Sequence, residues 1–213
     1  MKVFLLFLVF FFIGLAIMLS MHYLDPQQLP IGYNKQGITT KFSLSNAPTE
    51  SLKGTIATVS GNVSWVSRTE SKPVRPKVAQ TIQQGEELST GSNGKTVLRI
   101  QNDSLLVLSS NTHVSIIQLL PQNFVFVQDK GSILYENSIQ VPISVKSLDL
   151  VTLITKGIAT VTVDPNVQTV AVAVKTGIVK EGYEDLQNTS NVVTVSAGQT
   201  FVFDETNRTG TVQ

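Results

Sequence analysis

The residues that could do chemistry in this sequence form three short motifs in a familiar order. Ser92-Asn93-Gly94-Lys95 has S-x-x-K spacing, Ser109-Ser110-Asn111 reads S-x-N, and Lys175-Thr176-Gly177 reads K-T-G. Serine acyl-enzymes use these motifs in that order. Their chemistry needs the serine at the start of a buried helix, with the lysine one turn later. Because Asn-Gly favours a turn between strands instead, we expect no catalytic site and no enzyme.

Other reactive residue types are sparse. His22 and His113 are the only histidines, and neither has a Ser-Asp or metal-ligand neighbourhood in the sequence. Cysteine is absent, which excludes a disulfide framework and a thiolate metal site. The acidic pairs Glu86-Glu87 and Glu184-Asp185 are typical of solvated turn positions. We therefore predict no metal site, no cofactor-binding site and no cofactor.

Composition and charge restrict the class of protein. The chain has 213 residues, of which 42% are hydrophobic and 15% charged, so it can bury a sizeable core. The net charge is +1, and the basic and acidic residues are scattered. A nucleic-acid-binding protein would concentrate positive charge on one face, so we expect no nucleic-acid partner.

The N-terminus predicts a membrane anchor. Every residue from Val3 to Leu19 is apolar or glycine, and the segment to Leu24 approaches the ~20 residues that span a bilayer. Lys2 precedes the segment, which favours a cytoplasmic N-terminus with the rest of the chain outside. A cleaved signal peptide is the alternative, but its apolar region is usually shorter and ends in a small-x-small site. We expect a single-pass protein of the cell membrane, with 1–24 as its transmembrane helix.

The remaining chain divides into a stalk, a β-domain and a tail. Residues 25–51 are rich in Pro, Gly, Gln and Asn, which predicts an extracytoplasmic stalk. Residues 52–204 contain short runs of Val, Ile and Thr separated by turn residues, and 205–213 form a C-terminal tail. The strand candidates are Thr55–Val59, Val63–Val66, Thr96–Ile100, Leu105–Leu108, His113–Leu119, Phe124–Val127, Ser132–Tyr135, Ile143–Val145, Leu150–Ile154, Ile158–Val163, Val167–Lys175, Val192–Val195 and Thr200–Phe203.

The predicted fold class is all-β, as a β-solenoid or a β-sandwich. Val170, Val172 and Val174 alternate with smaller or polar residues, which indicates a strand with one buried face. Asn93-Gly94 predicts a hairpin turn with positive φ, and Asp164-Pro165-Asn166 a turn between strands. Glycine precedes an apolar run at 61, 131, 157 and 177, an irregular repeat that favours the solenoid.

Four stretches in order are similar to those of the FecR domain, the extracytoplasmic domain of ferric-citrate regulators. The resemblance covers Gly54–Asp204, and its most specific part is the ending Ala197-Gly198-Gln199 after an alternating strand. Asn102-Asp103-Ser104 replaces the family's Asp-Gly-Ser turn, and Gly157-Ile158 its Gly-Thr pair. The matching stretches are Gly54–Val63, Gly85–Gly91, Val127–Ile133 and Val174–Val179 with Val193–Gln199.

The resemblance implies a role in the cell envelope. Founding members carry an anti-sigma segment before the membrane span and a receptor-contacting module after the β-domain, whereas here Met1-Lys2 and 205–213 occupy those places. We therefore expect a FecR-like binding or scaffolding module that contacts the membrane and an unknown envelope protein or polysaccharide. The alternative is a regulatory sensor in cell-surface signalling that acts through a separate anti-sigma or membrane partner.

Two local predictions concern the core. Gly198 should have a positive φ and return the chain so that Phe201 and Phe203 enter the core. Trp65 should pack in the core rather than stack on a carbohydrate.

Overall fold

The part of the chain that the structure describes consists of fourteen strands and their connections. The computed structural model describes residues 51–101, 104–139 and 141–213. The predicted anchor at 1–24, the stalk as far as residue 50 and the turn at Asn102-Asp103 lie outside these ranges. Within them, no helix is long and apolar enough to cross a membrane. The strands are β1 (Gly54–Ser60), β2 (Val63–Val66), β3 (Thr81–Ile82), β4 (Glu86–Thr90), β5 (Lys95–Ile100), β6 (Ser104–Leu108), β7 (His113–Leu120), β8 (Asn123–Asn137), β9 (Ile143–Ser147), β10 (Leu150–Asp164), β11 (Thr169–Glu184), β12 (Ser190–Ser196), β13 (Thr200–Asp204) and β14 (Thr209–Val212).

Three long strands are shared between two layers of one sheet. β8 and β10 have 15 residues each and β11 has 16. The first half of β8 pairs with β7 and β9, and its second half pairs with β6 and β10. β10 and β11 pair with each other along both halves. The first half of β10 also pairs with β9 and its second half with β8. The first half of β11 also pairs with β13 and its second half with β12. Layer 1 therefore has the order β12-β11-β10-β9-β8-β7-β4-β2, and layer 2 has β14-β13-β11-β10-β8-β6-β5-β1-β3.

Bulges and glycines mark the passage of β10 and β11 between the layers. In β10 the even-numbered residues from 150 to 154 are buried, whereas the odd-numbered residues are buried from 159 to 163. The register shifts between Ile154 and Lys156 and again between Ile158 and Ala159, and such bulges bend a strand. Gly157 and Gly177 face each other between the bulges with φ of 137° and 83°. A β-carbon on either would collide with a carbonyl of the other strand.

The glycine pattern that favoured a solenoid comes from bends and turns. Gly61, Gly131, Gly157 and Gly177 all have positive φ, but they do not begin equivalent repeats. Every strand pair is antiparallel except β8–β9, whereas a parallel β-helix stacks its strands in parallel. The described chain is all-β, as predicted, and forms one open sheet rather than a solenoid.

The buried faces of both layers contribute to one hydrophobic cluster. Val170, Val172 and Val174 are buried while Ala173 and Lys175 are exposed, which confirms the predicted alternation. Each fully buried side chain of this size contributes about 1.5–3 kcal/mol. Since no disulfide is present, this burial and the backbone pairing carry the stability of the domain.

The closing turn also agrees with the sequence prediction. Gly198 has a φ of 87°, and its N–H donates to the carbonyl of Val174 at 2.8 Å. Phe201 and Phe203 are completely buried. Tyr183 packs on both rings, with centroids 6.1 Å and 5.1 Å away. The turn therefore directs an aromatic cluster into the core.

The sequence analysis missed β3, β4 and β14. β4 alternates glutamate, serine and threonine with a single leucine, so its hydrophobic pattern is weak. β14 pairs with β13 and extends the sheet into the segment 205–213. The Asn93-Gly94 prediction is wrong, because neither residue has a positive φ and β4 and β5 pair with different neighbours. The Asp164 turn is confirmed, since its carboxylate accepts the N–H of Asn166 at 2.9 Å.

Candidate functional site

The three acyl-enzyme motifs do not converge. Ser92 lies in an exposed turn between β4 and β5, and no helix follows it. The turn after β6 is close, because the Asn111 N–H donates to the Gly91 carbonyl at 3.1 Å. Thr176, however, pairs with Ile158 of β10. The Ser109 N–H donates to Ser132 of β8, which in turn pairs with Thr162 of β10. Thr162 lies four residues, or about 13 Å, further along β10 than Ile158.

Folding assembles a charged cluster around His113 that was not predicted from the sequence. His113 Nδ1 lies 2.6 Å from Asp129 Oδ2, and its Nε2 lies 3.4 Å from Glu87 Oε2. The bulge between His113 and Val114 leaves Asp129 as the extra residue of β8. The acids are 16 and 26 residues from the histidine in sequence, so spacing gave no signal. The exposed cluster joins three strands, and such ion pairs contribute little free energy. In the described ranges, no group of three His, Asp or Glu residues could hold a metal ion.

Glu86 is buried, which corrects its interpretation as a solvated turn residue. Its Oε2 accepts the indole N–H of Trp65 at 2.9 Å and the backbone N–H of Gln83 at 3.0 Å. Burial raises the pKa of Glu86, and the two donors partly offset the rise. Trp65 packs against the core, as expected, and its one polar atom is committed to this carboxyl group.

A second buried carboxyl lies under layer 1. Glu181 of β11 is completely buried, and its Oε2 accepts the hydroxyl of Thr152 at 2.7 Å. Its Oε1 has no hydrogen-bond partner, nor has the hydroxyl of Ser147 on β9. Burial raises the pKa of Glu181 to about 8, and the hydrogen bond from Thr152 partly opposes the rise. The side chain therefore holds a proton at neutral pH.

The outer surface of layer 1 carries the best candidate for binding. The outward side chains of β9 to β12 include exposed apolar residues and three lysines, and we name this surface the basic–apolar face. Ile178 and Val192 expose 57% and 72% of their area, and Leu153 is half-buried. Its residues are Lys146, Val151, Leu153, Lys156, Ile178, Lys180, Gly182, Val192 and Thr194.

A groove opens at one end of this face, over the bend of the β10–β11 ladder. It has a volume of about 530 Å³. Gly157 and Gly177 form its floor, because they present no side chains, and Ile178 contributes the apolar wall. Lys156 and Lys180 stand at its rim, so the groove combines an apolar surface with positive charge. The hydroxyl-bearing Thr155 and Thr176 complete the lining, and such an arrangement can bind an anionic partner.

Comparison with known proteins supports the fold and no finer assignment. No protein-family model matches the sequence, and no curated protein matches it. Two crystal structures of a candidate anti-sigma factor from Parabacteroides distasonis ATCC 8503 are similar, each with a TM-score of 0.52. Sequence identity is 14% and 13%, and each match covers 60% of this chain. The chain matches 58% of the length of that protein.

These observations define a class of fold. The chain has the all-β fold of this candidate anti-sigma factor over the matched part, which is consistent at fold level with FecR-like regulators. At such identities the likeness extends to the backbone architecture and not to the residues of a site.

Proposed function

We propose that the protein is a FecR-like module, anchored in the cell membrane by 1–24, that binds an envelope protein outside the cytoplasm and has no enzymatic activity. The observation that carries the proposal is the basic–apolar face. Three of the nine exposed large apolar residues in the described ranges, Val151, Ile178 and Val192, lie on this one face beside three lysines. Apolar patches rimmed by polar residues often mark interaction sites.

The chemistry of this face favours a protein over a polysaccharide. Sugar-binding surfaces commonly present aromatic rings for stacking. In the described residues, every large apolar side chain that is exposed is aliphatic. Trp65 packs against the core and donates to Glu86. An envelope polysaccharide is accordingly the second choice of partner.

A signalling role is the second candidate function, and the fold likeness favours it. The similar structures belong to a candidate anti-sigma factor. In this alternative, the module senses a partner outside the cytoplasm and acts through a separate anti-sigma or membrane protein. Both candidates share the binding step and differ in the consequence of binding.

The absence of cysteine makes sidedness straightforward to test. Single cysteines at Lys2 and at exposed Ser110 would be treated in intact cells with a membrane-impermeant maleimide. We expect labelling of Ser110→Cys in intact cells and of Lys2→Cys only after lysis. Labelling of both positions only after lysis would refute the extracytoplasmic location.

A second experiment separates the two candidate functions. Transcript profiles would be compared between a strain that lacks the protein and strains that produce the wild type or Ile178→Glu. Signalling predicts that deletion and Ile178→Glu alter the same small set of transcripts. A binding or scaffolding role predicts altered retention of an envelope protein without that shared transcript change. Wild-type behaviour of the Ile178→Glu strain in both assays would remove the face from the proposal.

A further inference from the structure

Gly182 has no structural reason to be glycine. It lies in layer 1 within β11, opposite Val151 on one side and Val192 on the other. Its φ is outside the left-handed range, and a β-carbon built on it would contact only the carbonyl of Val151, at an ordinary 3.9 Å. Glycine weakens a strand and often marks a place where another molecule approaches closely.

The missing side chain creates a notch in the basic–apolar face. Val151 and Val192, which flank Gly182, are 44% and 72% exposed. The outward residues of β11 on either side of Gly182 are Lys180 and Glu184, and Lys146 of β9 pairs with Val151 in the same row. The notch is therefore one residue wide, apolar on two sides and positively charged nearby.

The positive charge of this face is not neutralised within the described parts of the chain. Lys146, Lys156 and Lys180 are exposed, and none forms an ion pair with another described residue. The acidic residue at the margin, Glu184, lies two positions beyond Gly182 and pairs with Ser190. A complementary partner would carry carboxylates spaced to meet the lysines.

From this geometry we infer that the basic–apolar face binds an extended acidic segment of a partner protein, with one of its apolar side chains seated in the Gly182 notch. An extended chain presents alternate side chains to one surface, so it can place an apolar side chain at Gly182 and a carboxylate near Lys180, two residues along β11. The inference rests on the proposed function as a binding module and adds the chemistry of the partner.

Two other occupants fit the face less well. An anionic membrane would meet the lysines, but interfacial surfaces favour Trp and Tyr, whereas the exposed apolar residues here are Ile178, Val151 and Val192. In a second copy the exposed acids of the described residues are dispersed, with Glu70 in the loop after β2, Asp164 at the end of β10 and Glu184 at the end of β11. Glu87 and Asp129 contact His113, so none of these elements presents an extended acidic segment.

Fluorescence anisotropy with a labelled probe tests the inference on the full-length chain in a mild nonionic detergent. The probe is a peptide of ~8 residues that alternates Val and Glu, and its control alternates Val and Lys. Gly182→Ile fills the notch without changing charge, and Lys180→Glu reverses one charge. The matched controls are Ala173→Ile, exposed in the other half of β11, and Lys95→Glu, exposed at the start of β5.

We expect the acidic peptide to bind the wild type and the lysine peptide not to bind. Gly182→Ile and Lys180→Glu should each weaken binding at least about tenfold, and the two controls should change it less than about twofold. Binding should also weaken when salt rises from about 50 to 500 mM. The melting temperature of Gly182→Ile should match or exceed that of the wild type, because isoleucine suits a strand better than glycine.

Three results would overturn the inference. One is unchanged binding in Gly182→Ile, and another is a melting temperature several degrees lower in that variant, which would make the glycine structural. The third is binding to phosphatidylglycerol vesicles, or self-association, in place of the acidic peptide. The sidedness and transcript experiments do not use these substitutions, so the inference can fail while the proposed function stands.

Discussion

The buried carboxyl of Glu181 makes a quantitative prediction about stability and pH. Its pKa is raised from 4.5 to about 8, chiefly by burial. Between these values, an unfolded chain releases the proton and the folded chain keeps it. The folded state therefore binds more protons, and the free energy of unfolding falls as pH rises, by about 1.4 kcal/mol per unit. The contribution is complete below pH 4.5 and is lost as the pH approaches 8.

Glu181→Gln removes the titration while it preserves the shape of the side chain. The amide oxygen can still accept the hydroxyl of Thr152, now 2.7 Å from the carboxyl oxygen. The variant should gain stability relative to the wild type as pH rises. From pH 4.5 the gain should reach about 3 kcal/mol at pH 7 and about 4 kcal/mol at pH 8, where the folded carboxyl is itself half ionised. Any constant cost of exchanging oxygen for nitrogen cancels in this pH dependence.

Urea unfolding of both proteins at pH 5, 6, 7 and 8 measures the difference directly. Glu184→Gln is the matched control, because Glu184 is exposed at the end of the same strand. Its free energy of unfolding should stay within about 0.5 kcal/mol of the wild type at every pH. A difference between Glu181→Gln and the wild type that is flat across this range would refute the buried, protonated carboxyl.

Four further substitutions test the core and the turns by thermal unfolding. Phe203→Ala should cost about 3–5 kcal/mol because the ring is fully buried, and a loss below about 1 kcal/mol would contradict that burial. Gly198→Val should cost about 1–3 kcal/mol, since φ is 87° although the space is open. Ser92→Ala, in an exposed turn, should change stability by less than about 0.5 kcal/mol, and the reverse order of these two effects would refute both assignments. Trp65→Phe should cost about 1–3 kcal/mol because Glu86 loses a buried donor, and an unchanged melting temperature would show that water replaces it.

Alternation and turn chemistry predicted much of the strand content. The alternation at Val170, Val172 and Val174 predicted the buried face of β11. The alternating strand before Gly198 predicted that a turn with positive φ follows it. These features depend on near neighbours, which a sequence pattern records. β4 was not predicted because the burial of Glu86 depends on a hydrogen bond from Trp65, which is 21 residues away in the sequence.

The candidate site was less predictable because it depends on pairing between distant segments. The predicted strand that ended at Lys175 continues through the bend at Gly177 to Glu184. Only the shift of alternation at the bulges turns Glu181 inward and leaves Gly182 outward. Since bulge positions are set jointly by both strands, neither strand's own pattern gives them.

The shared strands also make the domain a continuous mechanical element. β11 runs through layer 1 and layer 2 without a loop, so covalent bonds join the backbone at Gly182 to the backbone at Val174. Force applied at the basic–apolar face would load β11 in both layers together, and β10 along with it through the hydrogen bonds between them. A pull on this face therefore reaches layer 2 through a single peptide backbone, and from there β13 and the aromatic cluster through the hydrogen bonds between β11 and β13.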